Sequence, residues 1–250
     1  MITYKSDEEI GYMAEGGRRL KKVTSMLVPF VKVGMTTQMV EDAAVRLLQN
    51  QHVDISFNKV KGYRWATCLP VNEQVVHTPP SGQILKDQDV LTIDIGAYYQ
   101  GFHTDYATTF VVGACRDEKV KKFLQVGQRT LERAISKATV GQHIGVISKE
   151  IEKNIYGNGY HVMEELTGHG VGHELHEDPF IPGFVDKPIE KTVRLKVGMV
   201  IAIEIIYSMG TEQIAYEKRN DWSIITADRS LSACFEHTVA ITDKNTVILT

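Results

Sequence analysis

Four acidic residues lie inside or beside short apolar, β-branched segments, which is an unusual setting for a charge. They are Asp94, Asp105, Glu204 and Glu236. Isolated carboxylates are rarely fully buried, because removal from water is costly unless a counter-charge accompanies them. An edge position or a salt bridge would explain any one of them, but the same segments carry no matching set of lysines or arginines. The four together therefore predict a site for metal cations.

A glycine-rich segment at 167–179 is the second candidate for chemistry. It carries three histidines within eight positions, His169, His173 and His176. Imidazole is the commonest nitrogen ligand of metals and carries protons near neutral pH. The glycines allow the backbone to bend closely around a ligand, although their spacing is not that of a phosphate-binding loop. A lone histidine is usually structural, whereas this cluster favours a functional segment.

The elements that would position these residues follow from apolar periodicity and from capping residues. Ser6 and Glu9 form a capping-box pattern that predicts a helix to about Leu27. Apolar residues at helical spacing predict three further helices, from about Thr37, at 117–136 and at 144–156. Short β-branched runs predict strands at 90–95, 106–112, 199–206 and 234–242.

A faint internal repeat divides the chain into halves at about 1–113 and 114–250. Val33-Gly34 precedes one predicted helix and Val140-Gly141 another, and Ile93-Asp94-Ile95 recurs at nearly the same offset as Ile203-Glu204-Ile205. Each half thus contributes helices, strands and two acidic residues. We expect a single α+β domain over 1–250, with two duplicated halves that face each other across a shared site.

Composition indicates an ordinary globular protein of the cytoplasm. Of the 250 residues, 43% are apolar and 24% charged, and the formal net charge of -3 gives no indication of nucleic-acid binding. The three cysteines, Cys68, Cys115 and Cys234, are too far apart for a structural zinc site and suit a reducing compartment. No segment has the apolar length of a signal core or of a membrane span, so no membrane association is expected.

Taken in order, the motifs resemble those of the methionine aminopeptidase family. The resemblance runs from Lys5 to about Thr242, and the motifs that carry it are Asp94, Asp105, Gly168-His169-Gly170-Val171-Gly172, His176-Glu177-x-Pro179, Ile203-Glu204 and Ser232–Thr238. It implies the pita-bread fold, with two pseudo-symmetric halves and a mainly antiparallel sheet backed by helices. The short stretch between His169 and Glu204 has no room for the helical insertion of type II enzymes, and no zinc-finger extension precedes the motifs. Both features favour the bacterial type I form.

The resemblance also implies a role for each site residue. Two divalent ions, which could be cobalt, manganese, iron(II) or zinc, would be bound by Asp94, Asp105, His169, Glu204 and Glu236. Asp105 and Glu236 would bridge the ions, and Glu204 would also carry a proton. His77 and His176 would contact the substrate amide. The side chain of the first residue would be bound by Tyr63, Cys68, Leu175 and Trp222.

Two residues depart from the pattern of the family. Ile205 follows the glutamate ligand, where proline is usual, and this change bears on the geometry of the strand. Leu175 precedes the second histidine, where many members carry an aromatic residue. Leucine is smaller, so we expect a roomier pocket for the first side chain.

The activity implied by the resemblance is removal of the initiator methionine from nascent polypeptides whose second residue is small. The expected protein is a monomer, and a transient ribosome contact could use Lys59, Lys61 and Arg64 or Lys119, Lys121 and Lys122, although solvation is the ordinary role of such groups. One alternative is a proline-specific aminopeptidase or dipeptidase, which normally carries an additional N-terminal domain. Another is a non-catalytic peptide-binding module, which would be expected to lack some of the five ligands.

Overall fold

Four long helices account for most of the helical structure, and all four were predicted. The computed structural model describes residues 2–218 and 220–250. The helices are α1 (Asp7–Phe30), α2 (Thr37–Asn50), α3 (Glu118–Lys137) and α4 (Ile144–Gly157). Two single turns of 3₁₀ helix lie at Phe57–Lys59 and Ile189–Lys191.

The strands are more numerous than the four predicted. In the first half they are β1 (Asp54–Ile55), β2 (Thr67–Cys68), β3 (Gln74–Val76), β4 (Val90–Tyr99) and β5 (Phe102–Val111). In the second half they are β6 (His161–Val162), β7 (Thr167–Gly170), β8 (Glu177–Pro182), β9 (Val200–Ser208), β10 (Ile214–Tyr216), β11 (Ile224–Thr226), β12 (Ser232–Ile241) and β13 (Thr246–Ile248). The four long strands β4, β5, β9 and β12 overlap the predicted ones and extend beyond them at one end, while β5, β9 and β12 each fall one residue short at the other end.

One antiparallel sheet spans both halves of the chain. Its strands follow the order β1-β4-β5-β12-β9-β7-β8, with β2 added to β4, β6 to β9 and β13 to β12. The two halves meet where β5 pairs with β12, over only two residue pairs, Ala107 with Glu236 and Tyr106 with His237. A separate sheet, β10-β11-β3, joins a strand of the first half to two strands of the second.

Each half has its own apolar core between the sheet and a pair of helices. In the first half, Leu20 of α1 and Leu48 of α2 pack with Ile93 of β4. In the second half, Ile147 of α4 packs with Phe123 of α3 and Tyr207 of β9. The helices therefore cover one face of the sheet, and the opposite face is left for the acidic residues.

The first helix begins as the capping pattern predicts but ends later than expected. Glu9 N donates to Ser6 Oγ at 3.3 Å, and Ser6 N donates to Glu9 Oε2 at 2.7 Å, which completes the capping box. The helix continues through Gly16 and Gly17 to Phe30. A side chain at Gly17 would collide with the backbone carbonyl of Leu249, so this glycine permits a close approach of the C-terminal segment rather than weakening the helix.

We predict that Gly127→Ala lowers the free energy of unfolding by about 1–3 kcal/mol, since a Cβ there would overpack the second core. That atom would lie 2.6 Å from the Phe235 ring and would also collide with the Tyr207 hydroxyl. The matched control is Gly11→Ala, at a helical position where an added Cβ would have no atom within 4 Å. This change should raise the free energy of unfolding by about 0.5–1 kcal/mol. Urea unfolding followed by circular dichroism measures both, and equal effects would show that α3 does not pack as described.

Candidate metal centre

The strand register places the acidic residues in one row across the sheet. Asp94 of β4 lies opposite Ala107 of β5, Ala107 lies opposite Glu236 of β12, and Glu236 lies opposite Glu204 of β9. Directly paired residues in an antiparallel sheet point to the same face. Three of the four carboxylates are therefore neighbours on the face that the helices leave open.

The remaining two candidate ligands join this face by strand alternation. Asp105 is two residues before Ala107 on β5, and His169 of β7 lies opposite Ala202, two residues before Glu204. Residues i and i+2 of a strand share a face. The five candidate ligands thus come from five different strands, and pairing alone brings them together.

The side chains converge closely. Ligand atoms of Asp105, His169 and Glu236 all lie within 4.8 Å of one another. Nε2 of His169 is 3.4 Å from Glu204 Oε1 and 4.0 Å from Asp105 Oδ2. Nδ1 of the same ring lies 2.8 Å from the Gly170 carbonyl, which can only accept, so Nδ1 carries the proton. This tautomer leaves the Nε2 lone pair directed at the carboxylates, as metal-binding histidines require.

The cluster concentrates negative charge in a buried place. Asp105 and Glu236 are only 4% and 2% exposed. Burial raises the pKa of all four carboxyl groups, to about 7 for Asp105, and repulsion among the carboxylates adds to the increase at Asp94, Glu204 and Glu236. Without a counter-charge, this arrangement would destabilise the fold.

The residues present fit divalent cations. Oδ1 of Asp94 and Oε1 of Glu236 are buried and have no hydrogen-bond partner among the described residues. Within residues 2–218 and 220–250, no lysine or arginine lines the cavity above the cluster. Four carboxylates and one imidazole form a hard, oxygen-rich donor set, of the kind that binds manganese, iron(II), cobalt or zinc.

Two threonines join the halves beside the cluster. Asp105 N donates to Thr238 Oγ1 at 2.8 Å, and the same hydroxyl donates to the Asp105 carbonyl at 2.9 Å. Thr109 Oγ1 donates to the Cys234 carbonyl at 2.8 Å and accepts from Cys234 N at 3.0 Å. These side chains replace ladder hydrogen bonds where β5 and β12 are paired over only two positions, so they fix Asp105 relative to Glu236.

A cavity of about 280 Å³ lies over the cluster. It brings together all eleven site residues that the sequence predicted: Tyr63, Cys68, His77, Asp94, Asp105, His169, Leu175, His176, Glu204, Trp222 and Glu236. At its apolar end, Phe57, Tyr63, Cys68 and Leu175 pack into one buried cluster. The Trp222 ring closes this end, with its centroid 5.1 Å from that of Tyr63.

Two histidines that line the cavity are not part of the carboxylate row. His77 follows β3 with a φ of 58°, a left-handed conformation that is uncommon for a residue with a side chain and clusters at functional sites. The ring of His176 lies 4.5 Å from that of His169. Burial lowers the pKa of His77 to about 4, with the nearby His176 adding to this, and burial also lowers the pKa of His176. Both rings are therefore held in the neutral form.

The sequence reasoning missed several residues in and behind this site, among them Phe57, Phe180 and Glu41. Phe57 lines the apolar end and Phe180, which is 62% exposed, lines the mouth. Glu41 of α2 is buried and accepts from Ala66 N at 2.7 Å and Thr67 Oγ1 at 2.6 Å, which holds the segment between Tyr63 and Cys68. The only sequence signal for Glu41 was a lone acidic residue beside the apolar face of a predicted helix.

Ile205, the first departure from the family pattern, lies within an uninterrupted β9. It is fully buried in the second core and pairs with Phe235 of β12. Glu204 precedes it and points to the opposite face, into the cavity. An isoleucine here contributes apolar packing behind the cluster and keeps a backbone N–H that proline would lack.

The fold and the donor set define a class of protein. The two halves of the chain together place four carboxylates and an imidazole on one open sheet face, under a cavity with an apolar end. Clustered carboxylates of this kind hold the paired metals of hydrolytic enzymes, including peptidases.

Comparison with known proteins gives the same class. The model of metallopeptidase family M24 matches residues 11–243. A methionine aminopeptidase of Bacillus subtilis is 38% identical over 250 residues, which cover all of this chain and 99% of the relative. That of Escherichia coli is 33% identical and is covered over 94% of its length.

Comparison with solved structures gives the same family. The methionine aminopeptidase of Thermotoga maritima superposes with a TM-score of 0.95 at 35% identity, over all of this chain and 99% of that one. A prolidase of Pyrococcus furiosus superposes with a TM-score of 0.77 at 22% identity, over 65% of its own length, and this likeness shows the fold alone. The chain therefore belongs to metallopeptidase family M24, in the methionine aminopeptidase group, and is a metal-dependent exopeptidase with the pita-bread fold. In the part of the chain that the structure describes, no helix combines the length and apolar character needed to cross a membrane.

We predict that manganese at about 100 times its Kd raises the free energy of unfolding by about 2.7 kcal/mol, because it binds only the folded state. Glu236→Gln removes a charge from the cluster, so the same concentration of manganese should raise the free energy of unfolding by far less. The control is Glu118→Gln, an exposed carboxylate at the start of α3, which should respond to manganese like the parent protein. Thermal unfolding with and without manganese measures the difference, and an undiminished gain in Glu236→Gln would remove Glu236 from the ligand set.

Proposed function

We propose that this enzyme removes the initiator methionine from nascent polypeptides whose second residue is small. The observation that carries the proposal is the continuity of one cavity, in which the carboxylate cluster adjoins an apolar slot. Methionine is long, flexible and apolar, so it fills an irregular apolar slot well. A side chain in that slot places the following peptide bond over the carboxylates.

Five side chains on the open face of the sheet would bind the metal. Asp94, Asp105, His169, Glu204 and Glu236 would hold two divalent ions, and Asp105 and Glu236 come from the two strands, β5 and β12, that join the halves. When bound, such paired cations supply an activated water nucleophile and polarise the carbonyl that it attacks.

The side chains of the chain itself supply orientation and proton transfer. His176 would donate a hydrogen bond to the oxygen that gains charge as the carbonyl is attacked. His77, which also lines the cavity, would contact the amide that follows the first residue. Glu204 would receive a proton on a carboxylate oxygen and deliver it to the departing amine. Both histidines are neutral, so each can donate from one ring nitrogen.

The two alternative functions are less well supported. Proline-specific relatives match this chain at 22% identity in the fold alone, whereas methionine aminopeptidases match it over its full length at 33–38%. A non-catalytic peptide-binding module would have no reason to keep five donors that destabilise one another without a cation.

The setting of the reaction is the cytoplasm, where nascent chains leave the ribosome. Lys119, Lys121 and Lys122 are exposed at the start of α3 and could touch ribosomal RNA transiently through its phosphates. A monomer satisfies this proposal, since a single chain contributes all eleven site residues.

The test of the function is hydrolysis of Met-Ala-X and Met-Leu-X peptides after loading with a panel of divalent ions. We expect kcat/KM for Met-Ala-X to exceed that for Met-Leu-X by at least about 100-fold, because a hydrophobic site with no spare room rejects the larger residue by steric exclusion. Exhaustive chelation should abolish turnover and readdition of metal should restore it. Equal rates for the two peptides, or full activity in chelator, would refute the proposal.

His176→Ala should lower kcat about 100-fold or more while KM changes less than about threefold, because its proposed hydrogen bond forms with the transition state. The matched control is His173→Ala in the same loop, since His173 is exposed and contacts only the Gly101 carbonyl, the Phe102 ring and Glu9 among the described residues. Steady-state kinetics on a Met-Ala peptide should leave the control within about twofold of the parent. A near-normal kcat in His176→Ala would exclude it from the chemistry.

Leu175→Phe should make the enzyme more selective for methionine over branched side chains at the first position of the substrate. Leu175 packs against the pocket cluster, so a larger ring there would crowd branched side chains more than methionine. Because pockets discriminate by about 1–3 kcal/mol per methylene, the ratio of kcat/KM for Leu-Ala over Met-Ala peptides should fall about tenfold. Ile84→Phe, at an exposed position outside the cavity, is the control. A constant ratio would mean that Leu175 does not shape the pocket.

A further inference from the structure

The five residues before α1 form a strap across the second half of the molecule. Ile2 packs against the second core, and Lys5 N donates to the Gly198 carbonyl at 2.7 Å. The Lys196 ammonium lies 5.7 Å from the centre of the Tyr4 ring. Gly198 precedes β9, the strand that carries Glu204, so the strap is tied to an element of the metal centre.

The side chain of Lys5 turns inward and meets a buried glutamate. Its Nζ lies 2.6 Å from Glu177 Oε2, and the two side chains are only 3% and 6% exposed. Thr3 Oγ1 donates to the same oxygen at 2.5 Å, and Lys5 Nζ also donates to Thr3 Oγ1. Glu174 N donates to Glu177 Oε1 at 3.2 Å. Both carboxylate oxygens are therefore occupied, one by the strap and one by the loop before β8.

That loop carries His176 and lies against the ion pair. Together with Glu177, the first residue of β8, it is called loop 171–177 below. Gly172 accepts from His103 N at 2.7 Å and donates to the Glu174 carbonyl at 3.0 Å. A Cβ at Gly172 would lie 2.7 Å from Glu177 Oε1 and would collide with the Lys5 side chain. The backbone of the loop therefore packs directly against the ion pair at Gly172, where only glycine leaves room for both side chains.

Stability alone is a weak reason for such a pair. Two charges lose their hydration when buried, and well-packed apolar residues of similar volume often replace a buried ion pair without loss of stability. The pair instead fixes the position of the loop. Hydrogen bonds from Lys5 and Thr3 hold the carboxylate of Glu177, which is the residue directly after His176 in the chain. The pair lies outside the cavity lining, so it does not contact a substrate itself, and the loop that it holds carries His176 in the cavity wall.

We propose that Lys5 and Glu177 are positioning residues that hold loop 171–177 so that the His176 ring faces the substrate carbonyl. This inference rests on the proposed function, in which His176 stabilises the developing negative charge. The N-terminal strap is then a part of the active site that does not touch the substrate. Catalysis depends on it because a ring displaced by even about 1 Å loses much of its contribution.

The experiment compares Lys5→Met/Glu177→Met with the parent protein, in the presence and absence of His176→Ala. The apolar pair removes both charges together, so no unpaired charge is left buried. We expect kcat on a Met-Ala peptide to fall at least about tenfold with KM within about threefold. In the His176→Ala background the same pair of changes should alter kcat by less than about twofold, because positioning acts through that ring.

Two further measurements separate positioning from general damage. Amide hydrogen exchange of the metal-free protein should become faster in 171–177 and stay unchanged in β9 and β12. Calorimetric titration with manganese should give an affinity within about threefold of the parent. Lys187→Met, which breaks the surface pair with Asp186 at 3.4 Å, is the control and should change none of these readouts.

The inference is overturned if the double variant turns over like the parent, if its loss multiplies with that of His176→Ala, or if exchange in 171–177 is unaltered. Should the methionine pair fail to fold, Thr3→Val removes the hydrogen bonds that the Thr3 hydroxyl makes with Glu177 and Lys5 and leaves the ion pair itself in place. It should lower kcat about two- to fivefold in the parent background and leave His176→Ala unchanged; any other result also overturns the inference. A parent protein inactive on Met-Ala peptides in every metal would instead refute the proposed function.

Discussion

The rest of the structure depends on one electrostatic constraint, the presence of four carboxylates on one face of a continuous sheet. Asp105 and Glu236 are almost completely buried, and burial together with mutual repulsion raises the pKa values in the cluster. Such an arrangement is tolerable only if the surrounding fold is rigid and a cation compensates the charge. The apolar cores on the helical side supply the rigidity, and the two buried oxygens without partners mark where the cation belongs.

Placing this cluster at the junction of two halves has a structural consequence. The ladder between β5 and β12 is only two pairs long, so ordinary strand pairing would hold the central carboxylates weakly. Thr109 and Thr238 supply the missing hydrogen bonds with their hydroxyls. Each half can therefore keep its own core while the candidate metal centre spans the boundary.

Two segments of the cavity wall are each held by a buried carboxylate that is not among the five candidate ligands. Glu41 accepts three hydrogen bonds from Ala66 and Thr67 and so fixes the wall that carries Tyr63 and Cys68. Glu177 ties the wall that carries His176 to the N-terminal strap. Loops that bind substrate must hold their geometry without the ladder of a sheet, and buried charge-assisted hydrogen bonds serve that purpose.

The sequence by itself determined the four helices, the four long strands and the chemistry of the metal centre. Periodicity and capping are local, and a carboxylate such as Asp94 in an apolar run is conspicuous because its charge conflicts with its surroundings. The resemblance to methionine aminopeptidases added His77 and the pocket residues, which no local pattern marks. Short strands such as β2 and β7 were missed, since two to four residues carry no periodic signal and form only when a partner strand is present. Three features were decided by tertiary structure alone: the register that aligns Glu204 with Glu236, the threonine hydrogen bonds between β5 and β12, and the ion pair of Lys5 with Glu177. Each joins residues that are far apart in the chain and become neighbours only when the sheet has formed.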